Sequence, residues 1–160
     1  MNERQKLVLL LAATLLLGVL TITTPIPGSA QTNARMNAEV SAARAAGAYL
    51  GSLQYLHELK STKCGYVLRK PISSLDDVAN REILPRFSQD SKREIEKMLP
   101  AMKDNVRRTA PKFVGDLIAK WTSEMGGDEK TVCGLVTGLL LGIHQRATET
   151  WLATVKTIPK

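Results

Sequence analysis

The sequence has few of the residues on which catalytic and nucleic-acid sites depend. Its 160 residues include only two Trp, three Tyr, two Phe, two Cys and two His. Sequence-tolerant binding of single strands relies on stacking aromatics, so this scarcity argues against a nucleic-acid partner. The motifs G-x-S-x-G, H-E-x-x-H, G-x-G-x-x-G, C-x-x-C-H and the P-loop are all absent. We therefore predict a non-enzymatic protein with no catalytic residue, no metal and no cofactor.

The two cysteines are Cys64 and Cys133, and they do not form a C-x-x-C pair. An even number of cysteines in an exported chain is typical of a disulfide. We predict one Cys64–Cys133 disulfide, with a free or redox-active thiol pair as the alternative. A second alternative is a His57/His144 pair that binds Zn²⁺ or Cu²⁺, although no third ligand stands at metal spacing.

The N-terminal region reads as an export signal. A short basic start precedes an uncharged apolar run over residues 7–20, the pattern of a secretory signal peptide. Pro25 and Pro27 stop the run at the lower limit of the ~17–25 residues that a membrane-spanning helix needs. Small residues place the cleavage site after Ala30 or after Ala34. We predict a bacterial Sec-type signal and a periplasmic or secreted protein, with an uncleaved membrane anchor as the alternative.

Removal of residues 1–30 as a signal peptide leaves residues 31–160, which we predict to form a single all-α domain. Apolar residues recur at spacings of three and four, and no period-two strand pattern is present. The pattern indicates a small bundle of four to five helices. Pro100 is expected to kink or split one of them. Helices are expected over residues 34–63 and from Ser74, Ser91, Thr109-Ala110-Pro111 and Asp128 onward.

Residues 131–143 are apolar on nearly every side but too few to cross a bilayer, which favours a buried helix. Glycines inside a helix each cost ~0.5–1 kcal/mol relative to Ala, so a row of them calls for a packing reason. We predict that the first and last long helices run antiparallel, joined by the disulfide, with two ridges of small residues in contact. The ridges consist of Ala43, Gly47 and Gly51 on the first helix and Gly134, Gly138 and Gly142 on the last.

The net charge of +7 is unevenly distributed along the chain. Two basic clusters stand out as candidate partner-binding residues, the first Lys60, Lys63, Arg69 and Lys70, the second Arg107, Arg108 and Lys112. Such clusters attract an acidic protein or an anionic component of the cell envelope. Ordinary solvated surface charge is the alternative.

These features together indicate a protein that acts by binding. We expect an exported accessory, inhibitor or immunity-type protein with a rigid helical scaffold and a basic surface. A module that binds a lipid or a cell-wall fragment is the alternative. The segment Cys64-Gly65-Tyr66-Val67 resembles small exported helical immunity proteins, but only over a handful of residues, so it assigns no family. The sequence does not specify an oligomeric state.

Overall fold

In the computed structural model, the backbone is described for residues 30–159 and the side chains for residues 34–159. Helices account for most of this region, and no strand occurs within it, which confirms the all-α class. The predicted signal peptide lies outside the described residues, apart from Ala30. In chain order the four α-helices are α1 (Ala30–Ser61), α2 (Leu75–Val78), α3 (Gln89–Glu124) and α4 (Glu129–Val155). A 3-10 helix (Lys63–Val67) follows α1, and a π-helical turn (Ala79–Ile83) and a 3-10 turn (Leu84–Arg86) follow α2.

Helices α1 and α4 form the central pair of the bundle. The disulfide joins Cys64 to Cys133, with the two Cα atoms 4.9 Å apart, so the predicted bond is present. Further along, the Ser52 hydroxyl lies 3.0 Å from Nδ1 of His144. Residue numbers therefore fall along α1 as they rise along α4, which is the order of contacts in two antiparallel helices.

Helix α3 lies on α1 in the same direction as α1. Glu39 contacts Ser91 near the start of both helices. Farther along, a Cβ built on Gly47 would lie 3.6 Å from Met102 Sδ. The rings of Tyr55 and Phe113 then meet with centroids 4.6 Å apart. The residue numbers of the contacting pairs increase together along both helices. Helix α3 therefore runs parallel to α1 and antiparallel to α4.

Two apolar clusters fill the bundle, one toward each end of α1. The cluster at the disulfide end contains Leu56, Leu59, Cys64, Val114, Ile118, Val132, Cys133, Val136 and Leu140. The other contains Ala42, Ala45, Ala46, Tyr49, Leu50, Leu53, Leu75, Val78, Ala79, Ile83, Phe87, Leu99 and Trp151. Ile72, in the connection before α2, packs against both clusters and joins them.

Two of the predicted helix starts are confirmed. Ser74 precedes α2, and its Oγ accepts a hydrogen bond of 3.0 Å from the backbone N–H of Asp77. Asp128 directly precedes α4, after a turn in which Gly126 and Gly127 adopt φ of 65° and 87°. Such φ values are open to glycine at little cost, so the turn between α3 and α4 is encoded locally.

The predicted breaks in α3 are wrong, because the helix is continuous from Gln89 to Glu124. It starts two residues before Ser91, with Ser88 as the N-cap residue. Pro100 and Pro111 both lie inside the helix with exposed side chains. The buried stripe continues past both of them, over Leu99, Val106, Ala110, Val114 and Ile118. Packing of this stripe outweighs the ~3 kcal/mol that an interior proline costs.

The packing role predicted for the glycines of α4 is also wrong. Gly134 and Gly138 are exposed, and a Cβ on either of them, or on Gly142, would meet no atom within 4 Å. The face of α4 that is buried instead carries Val132, Val136 and Leu140 at the same spacing. Burial of these larger side chains removes more apolar surface from water than burial of glycine does. The face that carries them therefore packs against the core.

The ridge predicted on α1 does not pack on α4 glycines either. Gly47 is half-buried and faces Met102 of α3, while Gly51 is buried without an atom within 4 Å of a Cβ. Ala43 is half-buried and packs at the edge of the cluster that contains Trp151. The small residues of α1 therefore border α3 and the core rather than a matching ridge.

Replacing Gly138 with Ala should raise the free energy of unfolding by about 0.5–1 kcal/mol. The added methyl group has open space around it. It also reduces the conformational entropy of the unfolded chain. Urea denaturation followed by circular dichroism measures the change. A loss of stability would show that the glycine face is packed after all.

Candidate interaction surface at the disulfide end

A short 3-10 helix after α1 is held in place at three points. Thr62 Oγ1 accepts a hydrogen bond of 3.2 Å from the backbone N–H of Cys64. Cys64 itself is fully buried and bonded to Cys133. Gly65 lies so close to α1 that a Cβ there would stand 2.2 Å from the carbonyl oxygen of Lys60. No larger residue fits at this position, so the turn has a defined path.

Around this turn lies a surface that we call the basic end, formed by Lys60, Lys63, Tyr66, Arg69 and Lys70. All five side chains are exposed, and Tyr66 retains 61% of its accessible area. Lys63 Nζ lies 3.3 Å from Glu129 Oε2 at the start of α4. The other three cations have no carboxylate within 4.0 Å among the described residues. The basic end therefore combines unneutralised positive charge with one exposed aromatic ring.

The second basic cluster is largely neutralised within α3. Arg108 Nε lies 3.2 Å from a carboxylate oxygen of Asp104, and Lys112 Nζ lies 2.7 Å from one of Asp116. Lys103 donates to Asp76 and, with a smaller contribution from Arg107, holds the pKa of that carboxyl below its ordinary value. Arg108 and Lys112 thus belong to local ion pairs, which distinguishes them from Lys60, Arg69 and Lys70 of the basic end.

A polar cluster between α1 and α4 has the residue types of a hydrolase site but not its geometry. Ser52 is 2% exposed and donates its hydroxyl hydrogen to the carbonyl oxygen of Tyr49, at 2.8 Å. His144 must then be the donor in its contact with Ser52, through Nδ1–H. Tyr49 stacks on the His144 ring and donates to Glu82 at 3.1 Å. Burial, with a smaller effect of Glu82, raises the pKa of Tyr49 to about 12.

The stability of the protein should fall between pH 7.5 and pH 5 because of His144. Burial lowers the pKa of His144, and the nearby Glu82 opposes this only in part. The unfolded chain therefore binds a proton at higher pH than the folded chain does. The contribution to stability is complete above the unfolded pKa of ~6.5 and is lost as the pH falls. Urea denaturation across this pH range should show this loss of unfolding free energy in the parent and in His57→Gln. The loss caused by His144 should be missing in His144→Gln.

The structure does not bring the two histidines together as a metal pair. His57 Nε2 lies 2.9 Å from the carbonyl oxygen of Ser73, whereas His144 faces Ser52. Within residues 34–159, no three side chains of His, Cys, Asp or Glu are grouped as metal ligands would be.

Among the helices that the structure describes, none has the length and hydropathy needed to span a membrane.

A second surface feature is an apolar groove of about 550 Å³ between the first turns of α1 and α3. Met36, Val40 and Met98 line it and keep 55%, 45% and 47% of their areas exposed. Ala43 and Ile95 lie along it as well. The groove is at the opposite end of α1 from the basic end.

The chain matches no known family. Comparison with protein-family models, with curated proteins and with solved structures gives no significant match.

Tyr66 and the groove residues are the surface features that sequence reasoning missed. Because the sequence has so few aromatics, its two tryptophans, Trp121 and Trp151, are the first surface or core anchors to consider. Trp151 is 2% exposed in the core, and Trp121 packs against the cluster at the disulfide end. The sequence feature that could have indicated an exposed Tyr66 is its place in a short Cys-Gly-Tyr turn between basic residues. Few side chains can be buried in such a short turn.

Proposed function

We propose that the protein is an exported binding protein without catalytic function, of an inhibitor or immunity type. It docks through the basic end onto an acidic surface of another protein. The observation that carries this proposal is a set of cations that have no ion-pair partner among residues 34–159, Lys60, Arg69 and Lys70. They flank the turn that carries the exposed Tyr66 and that the disulfide anchors.

The geometry of the basic end supports a docking role. Tyr and Arg are enriched among the residues that dominate binding energy, so the exposed Tyr66 is the expected anchor. A turn fixed by the disulfide and by Gly65 loses little conformational freedom on binding, which lowers the entropic cost of association. Unpaired positive charge speeds the encounter with an acidic partner and makes it sensitive to salt.

The proposed compartment is the periplasm or the exterior of a bacterium. The buried Cys64–Cys133 disulfide supports this, because such bonds persist in oxidising compartments and are rare in the cytosol. The apolar run over residues 7–20 serves as the export signal in this proposal, with the uncleaved anchor as the alternative.

A matched pair of variants tests the proposal. In the first, Lys60, Arg69 and Lys70 are all replaced by Glu. The control makes the same change of charge in the second cluster, at Arg107, Arg108 and Lys112. Each variant and the parent are used to capture partners from an envelope extract, identified by mass spectrometry. We expect one stoichiometric acidic protein with the parent and the control, released by high salt, and its loss with the first variant. Equal capture by both variants would contradict docking at the basic end.

The alternative function, binding of a lipid or a cell-wall fragment, is favoured by one observation, the apolar groove with its exposed methionines. Flotation with vesicles of anionic phospholipid and sedimentation with purified cell wall separate it from protein binding. Saturable binding to either material that survives charge reversal at the basic end, without a protein partner, would favour this alternative.

A further inference from the structure

Along the apolar groove, α3 carries a row of four charged side chains with alternating sign. They are Asp90, Arg93, Glu94 and Lys97, which we call the charged row. Their spacing of three, four and seven residues places them on one face of the helix. Their side chains are 98%, 66%, 65% and 70% exposed. Among residues 34–159 they form ion pairs only with each other, Arg93 with Asp90 at 4.0 Å and Lys97 with Glu94 at 2.7 Å.

The order of charges in this row is complementary to itself when the helix is reversed. If a second α3 lies antiparallel and centred between Arg93 and Glu94, then Asp90 faces Lys97 and Arg93 faces Glu94. Both pairs of residue numbers sum to 187, so one register satisfies all four contacts. A parallel arrangement would place each charge against its own kind, which destabilises a contact.

We infer that a second copy of this chain docks on the groove, as a twofold dimer with antiparallel α3 helices. Self-complementary contacts are the rule in twofold dimers, since the same patch serves both partners. The inference goes beyond the proposed function and does not depend on it. The groove uses α1 only as far as residue 43, about 25 Å along the helix from Lys60, so the basic end stays free.

The apolar side chains beside the charged row provide the attraction, and the row provides the orientation. Met36, Val40 and Met98 are each about half exposed and line the same groove. Covering them removes apolar surface from water, which is the main favourable contribution to association. Methionine side chains adapt to an opposing surface, which suits a contact between identical partners. Exposed ion pairs add little affinity but suppress the wrong arrangement.

Sedimentation velocity on the purified protein, at concentrations from 1 µM to about 1 mM, tests the dimer with three variants. Arg93→Glu and Glu94→Arg each turn two attractive contacts into two repulsive ones. We expect each to weaken dimerisation about 10- to 100-fold. The double variant R93E/E94R restores the contacts between copies, so its dissociation constant should return to within about threefold of the parent. Lys112→Glu, on the same helix but outside the groove, should leave dimerisation unchanged.

The double variant separates the dimer from effects within one chain. In R93E/E94R the pairs inside the helix stay repulsive, since position 93 then faces Asp90 and position 94 faces Lys97 with like charge. Recovery of the dimer can thus come only from the contact between copies. A parent that remains monomeric up to about 1 mM would overturn the inference. So would a dimer that is unaffected by the single variants, or a monomer isolated with a lipid or peptide bound in the groove.

Discussion

Replacing Cys64 and Cys133 together with Ala should lower the free energy of unfolding by about 4 kcal/mol. The bond closes a loop of 69 residues, and a loop of this length restricts the unfolded chain strongly. Both sulfur atoms also lie in the core at the disulfide end, so their removal leaves unfilled volume. Small domains are stable by only ~5–15 kcal/mol, which makes this one of the largest effects available.

Urea denaturation at pH 7 measures the loss of unfolding free energy, and the same experiment gives a second observable. The slope of free energy against urea should rise, because the unfolded chain without its cross-link exposes more surface. Reduction of the parent under native conditions provides the control for the substitutions, since it breaks the bond without changing a residue. A loss of less than 1 kcal/mol in both would mean that helix packing alone sets the stability. The variant without Cys64 and Cys133 should also bind the proposed acidic partner more weakly, because the turn at the basic end is no longer anchored by the disulfide.

Replacing Glu39 with Ala should lower the free energy of unfolding by about 3 kcal/mol at pH 7. This carboxylate is 5% exposed and joins α1 to the start of α3. It accepts hydrogen bonds from the backbone N–H of Ser88 at 3.0 Å and from the Ser88 hydroxyl at 2.8 Å. Ser91 Oγ and Arg35 Nε also donate to it. Its loss leaves several donors at the α3 N-terminus without an acceptor, where a negative charge also suits the helix dipole.

The same residue predicts how stability depends on acid. Burial opposes ionisation of Glu39, but the hydrogen bonds from Ser91, Ser88 and Arg35 outweigh it and lower the pKa of the carboxyl. Its contribution is therefore complete above the unfolded pKa of ~4.3 and is lost as the pH falls through the lower folded value. Denaturation at pH 7 and at pH 3 should show a smaller acid loss in Glu39→Ala than in the parent. Glu124→Gln, an exposed carboxylate paired within α3, should change stability by less than 0.5 kcal/mol at either pH.

Local sequence signals predicted the helices and several of their ends. Ser74 has a side chain that can cap a helix N-terminus, and it does so. Gly126 and Gly127 end α3 because the turn needs positive φ, a requirement that is visible in the sequence. Ser91 has the same capping chemistry but lies inside α3, where it binds Glu39. Ser88 and Ser91 have equivalent capping side chains. The contact that favours Ser88 as the cap is made by Glu39 of α1, which lies 49 residues from Ser88 in the sequence.

The surfaces that carry the proposals were only partly predictable. The charges of the basic end were identified from composition, but their lack of ion-pair partners required the structure. In the second cluster, Arg108 and Lys112 each have a carboxylate four residues away on the same helix, so periodicity alone predicts these two ion pairs. Tyr66 and Met36 became candidates only through their exposure, which depends on what the other helices cover.

By itself the sequence determined the helical class and the disulfide. Spacings of three and four specify helices through contacts within a few residues, and a chain with two cysteines allows a single bond within itself. Only the tertiary structure decided which face of α4 is buried, whether α3 passes its prolines and which side chains stay exposed. Those choices depend on the apolar area that distant segments remove from water together. Since residues 131–143 of α4 are apolar on nearly every side, the helices that they contact determine which face is buried, and Gly134 and Gly138 stay at the surface.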